Sequence, residues 1–120
     1  HAVPYLHEEM GAALAAADLV VSRAGASILG EFPYFGLPAV LVPYPYAWRY
    51  QKVNAQWLAD RGAAVVIKDA ELKSGLVSTV HALLSDPARR ECMAEAARRL
   101  ARPDASRKLA ETLCRLGEGT

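Results

Sequence analysis

Three short apolar runs constrain this chain more than anything else in it: "LVVS" (19–22), "PAVLVP" (38–43) and "AAVVIK" (63–68). Each is strand-sized and apolar at consecutive rather than alternate positions, the pattern of strands covered on both faces. The segments between them carry a 3.6-residue period, and strands alternating with helices predict a parallel sheet with crossover connections. A further short strand is expected near "AVPYL" (2–6), ahead of a helix from about Glu8 to Ala17. Beyond the third run, Leu72, Leu76, Val80 and Leu83 share one helical stripe and Asp86-Pro87 opens another helix. Pro103-Asp104 breaks and recaps the chain, and Leu109, Leu113 and Leu116 mark a terminal helix. The fold class is α/β, a Rossmann-like parallel sheet with helices on both faces. Three or four strands fall short of the roughly five or six of a complete doubly wound sheet, so the sequence reads as part of a larger unit.

Composition supports one globular unit and narrows its partners. The 120 residues are 52% hydrophobic, enough for a packed core. No apolar stretch approaches the ~20 residues of a membrane-spanning helix. The start "HAVPYLHEEM" lacks an initiator Met, a basic region and an apolar region, so it reads as neither a signal peptide nor a native N-terminus. Fourteen basic against thirteen acidic side chains give no electrostatic case for nucleic acid. His1, His7 and His81 are scattered, and Cys92 and Cys114 fit no metal or redox spacing, so no metal, cofactor or nucleophilic triad is expected. Met10 and Met93 read as core filler, and the pairs Arg89-Arg90 and Arg98-Arg99 as a solvated helix face.

The chemistry collects at the carboxyl ends of the strands, where open α/β sheets bind their ligands. The first run ends in Ser22-Arg23-Ala24-Gly25-Ala26-Ser27, small residues at a helix start where backbone N–H groups are unpaired and the helix dipole is positive. That geometry suits a phosphate or diphosphate. Ser27 and Glu31 are four residues apart and project from one face of the following helix. A carboxylate there would repel a phosphate it touched, but it would suit the two hydroxyls of a ribose. From spacing alone, an ordinary exposed helix acid is the leading reading of Glu31, with the ribose role as the other. The second run leads through "VPYPYAWRYQKVNAQW" (42–57) into a helix on which Gln51 and Asn54 share a face. Their amides offer both donors and acceptors, as sugar hydroxyls require. Tyr44, Tyr46, Trp48 and Tyr50 read either as packed loop anchors or as a wall for a sugar ring.

With these residues assembled, the sequence resembles the C-terminal domain of the MurG-type bacterial UDP-N-acetylglucosamine transferases, which make lipid II. The resemblance is carried by "ADLVVSRAGAS", "GLPAVLVPYP", "QKVNAQWLADRGAAVVI" and "MAEAARRLARPDASRKLAE", in order and spacing over nearly the whole chain. It implies the donor-binding half of a GT-B glycosyltransferase that moves N-acetylglucosamine from UDP to the lipid-linked acceptor lipid I with inversion and without a metal. It further implies that Glu31 takes the ribose hydroxyls, that Gly25, Ala26 and Ser27 line the diphosphate or sugar, and that Gln51 and Asn54 read the sugar hydroxyls. The backbone near Leu6 would meet the uracil, and Arg23 would support the diphosphate or the loop itself. The intact protein would lie peripherally at the cytoplasmic face of the inner membrane, and no catalytic residue is expected in this portion.

The sequence departs from the family pattern at three places. Ile28 stands where a threonine commonly reaches phosphate, Tyr50 where His or Gln often precedes the matched glutamine, and Pro33 falls inside the helix that bears Glu31. Proline there removes a backbone hydrogen bond and predicts a kinked or shortened helix. The N-terminal acceptor domain and the first glycine-rich unit of such transferases have no counterpart in residues 1–120, so catalysis by this chain alone is not expected. Two other readings stay open: a non-catalytic donor-binding module that needs a separate partner chain, and a related UDP-sugar glycolipid transferase. Apolar surface left uncovered predicts self-association.

Overall fold

A computed structural model describes residues 1–118. Three parallel strands, β1 (Val20–Ser22), β2 (Ala39–Leu41) and β3 (Ala64–Val66), lie side by side in that order. Helix α1 (Met10–Ala16) precedes β1, and α2 (Ile28–Phe35) and α3 (Tyr50–Ala59) make the two crossovers. A 3-10 turn at Asp69–Glu71 then leads into α4 (Leu72–Leu84), α5 (Pro87–Leu100) and α6 (Ala105–Glu118). Register pairs Val21 with Val40 and Val40 with Val65, and ladder bonds such as Ile67 N–H to Leu41 O (2.9 Å) carry the pairing past the strand ends.

The two-residue period of β2 divides the core. Ala39 and Leu41 face a cluster with Ala24, Ile28, Phe32, Ala55 and Leu58, so α2 and α3 cover that side of the sheet. Val40 and Val42 face a second cluster with Ile67, Leu83 and Met93, against which Leu72, Leu76 and Val80 of α4 pack. The stripe read from sequence on α4 is thus the helix's buried face.

Local chemistry sets the element ends. Pro33 is fully buried in α2, and the helix closes within three residues at Gly36, which takes the left-handed φ of 60°. Leu37 N–H then returns to Phe32 O at 2.9 Å, an arrangement that leaves no room for a β-branched residue at position 36. The helix is short, as the proline predicts. Asp86 caps α5 by accepting from Arg89 N–H at 2.9 Å, with Pro87 in its first turn.

Four expectations are corrected. No strand forms over residues 2–6: Val3 and Tyr5 are exposed, and an apolar pentapeptide without a neighbouring strand to bond has no reason to extend. Only β2 is covered throughout. Val21 on β1 is 44% exposed, because α4 reaches under β2 and β3 but not under the edge strand. Met93 fills the core, whereas Met10 lies exposed on α1. The paired arginines are not simply a solvated face: Arg90 donates to the carbonyls of Leu83 (2.7 Å) and Leu84 (2.6 Å) at the end of α4, and Arg98 lies across Gly36. Cys92 and Cys114 are free and exposed on α5 and α6.

Candidate donor-binding site

The carboxyl ends of the three strands open into loops at 23–27, 42–49 and 67–71, and one side chain ties all three together. Arg23, the residue after β1, donates from Nη1 to Val42 O at 3.3 Å and pairs with Asp69 Oδ1 at 2.5 Å. Its guanidinium carbon also lies 5.4 Å from the centre of the Tyr44 ring, within cation–π reach. The arginine's charge is therefore already matched by a carboxylate, and its work is to fix the loops relative to one another. Asp69 escaped the sequence reading because it lies 46 positions away and looks locally like an acid in a helix's first turn.

The turn Ala24-Gly25-Ala26-Ser27 is held from behind by α3. Gln51 Oε1 accepts from both Ala24 N–H (3.3 Å) and Tyr44 N–H (2.9 Å). Asn54 Nδ2 donates to Ala24 O at 3.0 Å. Both backbone polar groups of Ala24, a fully buried residue, thus end on amide side chains one turn apart on α3. The sequence correctly places Gln51 and Asn54 on a common face, but that face is turned first to the backbone of the glycine turn. What remains for a ligand is the Nε2 of Gln51 and the Oδ1 of Asn54.

In front of this clamp the chain is open. The N–H groups of Gly25, Ala26 and Ser27 have no acceptor among the described residues, while Ser27 O receives Gly30 N–H and Glu31 N–H, both at 3.0 Å, to start α2. A side chain at Gly25 would meet nothing within 4 Å, so the turn borders free space. Ser27 and Glu31 are both exposed, and the Glu31 carboxylate has no hydrogen-bond or ion-pair partner among the described residues. Ile28 points the other way, 4% exposed in the core under the sheet. Its lack of a hydroxyl is therefore matched by packing that a threonine would make less well.

Leu6 is half-buried in the irregular segment before α1, which packs against α2, the helix bearing Glu31. The aromatic loop behaves unlike a set of packed anchors: Tyr46 is 82% and Trp48 90% exposed, and Tyr44 and Tyr50 are about half exposed. Tyr44 and Tyr46 contact each other edge-on at 5.6 Å. Among the described residues no group of three or more His, Cys, Asp or Glu side chains converges.

The parallel sheet carries at its carboxyl end an amide-lined turn and, one helical turn further, an exposed carboxylate. Residues 1–109 match the glycosyltransferase family 28 C-terminal domain, and the chain belongs to that family. It is 56% identical over 106 residues to a Roseiflexus enzyme named UDP-N-acetylglucosamine--N-acetylmuramyl-(pentapeptide) pyrophosphoryl-undecaprenol N-acetylglucosamine transferase, covering 84% of this chain and 24% of that protein. A protein of the same name from Desulforudis audaxviator is 45% identical over 120 residues, covering 98% of this chain and 32% of its own. Among solved structures, Acinetobacter baumannii MurG superposes with a TM-score of 0.84 at 32% identity, over 94% of this chain and 33% of that one. The chain spans about a quarter to a third of the length of these relatives.

Proposed function

We propose that this chain is the donor-binding portion of an inverting transferase that moves N-acetylglucosamine from UDP to a polyprenol-linked acceptor supplied through a separate acceptor domain. The observation that carries the reading is the pairing of three unsatisfied amides, Gly25 to Ser27, with the exposed, unpartnered carboxylate of Glu31 in the first turn of the helix that follows. An anion suits the first and a pair of hydroxyls the second, and a nucleoside diphosphate offers both. Leu6 would meet the uracil, and the free Nε2 of Gln51 and Oδ1 of Asn54 would meet the sugar. Arg23 would act through the loops it ties.

Mechanistically this half contributes position and charge. The amides and the positive end of α2 stabilise negative charge as UDP departs, and they do so without reorganising, because Gln51 and Asn54 already hold the turn. Glu31 fixes the register of the nucleotide so that the anomeric carbon faces the acceptor. Transfer itself needs a base at the acceptor hydroxyl, which the proposal assigns to the acceptor domain.

Titration calorimetry with UDP tests the reading. Glu31→Ala is expected to weaken binding at least tenfold and, since the side chain is exposed and unpartnered, to leave thermal stability within about 0.5 kcal/mol. An unchanged dissociation constant would remove Glu31 from the site. Equal binding of UDP and 2′-deoxy-UDP by the unsubstituted chain would do the same.

A further inference from the structure

The loops at the carboxyl end of the sheet grow from two different parts of the core, and the donor-facing turn sits on the less supported one. It continues β1, an edge strand of three residues on which Val21 is exposed. Ala24 and Ile28 anchor it in the cluster under α2 and α3. Asp69, in the loop after β3, stands on firmer ground. Ile67, two residues earlier, is buried in the second cluster and donates its N–H to Leu41 O at 2.9 Å, and Asp69 O accepts from Leu72 N–H where α4 begins. The backbone of Asp69 is therefore set from both sides by elements that take no part in holding a donor.

A closed circuit of contacts joins that fixed point to the turn. Asp69 Oδ1 accepts from Arg23 Nη1 at 2.5 Å, the same Nη1 reaches Val42 O at 3.3 Å, and the guanidinium carbon lies 5.4 Å from the centre of the Tyr44 ring. Tyr44 N–H donates to Gln51 Oε1 at 2.9 Å, and so, at 3.3 Å, does the N–H of Ala24, the residue next to Arg23. The place of the turn thus depends on where Arg23 points, and Arg23 has two choices. Released, a guanidinium two positions from Gly25 is free to move to a bound diphosphate; held by Asp69, it spans the loops instead. We propose that Asp69 is a positioning residue for the donor: it touches no donor atom, and by holding Arg23 as a tie it sets the Gly25 to Ser27 amides where the diphosphate needs them. This inference rests on the donor-binding reading of the same turn. Its sign separates it from plain electrostatics. A carboxylate near an anion site opposes the anion by charge alone, so its removal would tighten binding, whereas removing a carboxylate that orders the site loosens it.

Titration calorimetry with UDP on the unsubstituted chain, Asp69→Asn and Asp69→Ala tests it. Alanine removes both charge and acceptor and is expected to weaken UDP binding about two- to fivefold. The upper end is what a pair with both side chains partly exposed, worth at most about 1 kcal/mol, can supply. Asparagine keeps an oxygen for Arg23 and should lose less. In an Arg23→Met background Asp69→Ala should weaken UDP no further, because the tie it completes is gone. Amide hydrogen exchange reads the same link without ligand. In Asp69→Ala the N–H groups of Ala24 and Tyr44 should exchange faster relative to Leu37 N–H beyond the far end of α2, whereas a general loss of stability would quicken all three alike. Tighter UDP binding in both variants, with a steeper salt dependence, would overturn the proposal and make Asp69 a charge that keeps Arg23 from the phosphates. Equal weakening with and without Arg23 would overturn it too, as would exchange rates that keep their ratio. UDP binding that is weakened by Glu31→Ala but indifferent to Asp69→Ala would leave the donor reading standing and remove Asp69 from it; a chain that binds no UDP would remove both.

Discussion

Asn54 offers a sharp separation between holding the site and reading the ligand. Its Nδ2 gives Ala24 O a 3.0 Å hydrogen bond in a partly buried setting, and Ala24 itself is fully buried. Asn54→Ala removes the donor and leaves a buried carbonyl without its partner. A buried group stranded in this way costs about 1–3 kcal/mol, and the half-buried position of Asn54 lets water recover part of that, so about 1–2 kcal/mol is expected. For a chain of this size, that corresponds to a melting temperature lower by about 3–10 °C, readable by circular dichroism. Because the turn would loosen, UDP should bind about three- to tenfold more weakly, a loss of about 0.7–1.4 kcal/mol. UDP-N-acetylglucosamine should lose more than UDP, since the substitution also removes the Oδ1 proposed to meet the sugar; the loss for UDP alone reads the turn, and the change in the ratio reads the sugar contact. Two results would refute the argument. A melting temperature unchanged within about 1 °C would mean that the Ala24 peptide is held by other means. A loss of UDP-N-acetylglucosamine binding with UDP untouched would mean that Asn54 acts on the sugar alone and not through the turn.

Other perturbations probe the frame around the site. Gly36→Ala should destabilise by at least about 1–2 kcal/mol in a thermal melt, because an alanine would take φ 60° and its Cβ would sit 2.6 Å from Arg98 Cγ, so that the whole arginine side chain must leave its place across the turn. Leu83→Ala, at a fully buried position near the end of α4, should cost about 2–5 kcal/mol by urea denaturation; a smaller loss would mean that the second core cluster collapses into the cavity. Asp69→Asn should change stability by no more than about 1 kcal/mol, since the Arg23 and Asp69 side chains are 48% and 37% exposed, and the effect should shrink in high salt. Asp86→Ala should cost about 1 kcal/mol through loss of the cap on Arg89 N–H, with the first turn of α5 exchanging amide hydrogens faster.

What the sequence made legible follows from the distance over which each feature is determined. The three strands, the start of α2 at the glycine turn and the inward stripe of α4 depend on residues within one or two turns of each other, and the apolar period records them directly. The absent strand at 2–6 fails for the complementary reason: an extended segment is stabilised by a neighbour's hydrogen bonds, and its own composition carries no information about whether that neighbour is there. The site divides along the same line. That Gln51 and Asn54 share a helical face is a matter of spacing, but what the face meets is decided by how α3 packs against the end of β1, 27 and 30 positions earlier. Sugar hydroxyls and a peptide unit present the same donors and acceptors to an amide, so residue type alone could not choose between them. The pair Arg23 and Asp69 carries this furthest. Read locally, an arginine beside a glycine turn is a ligand for phosphate; read with an aspartate 46 residues on, it is a neutralised tie among three loops. It follows that the positive potential of this site rests chiefly on backbone amides and the start of α2, so substituting Arg23 should disturb donor binding through loop order more than through lost charge. Lysine at 23 is the telling replacement: it keeps the charge but cannot span Val42 O and Asp69 as the guanidinium fork does, and it should bind UDP scarcely better than methionine there. Full affinity in Arg23→Lys together with a loss in Arg23→Met would show the opposite, that charge at this position acts on the donor directly.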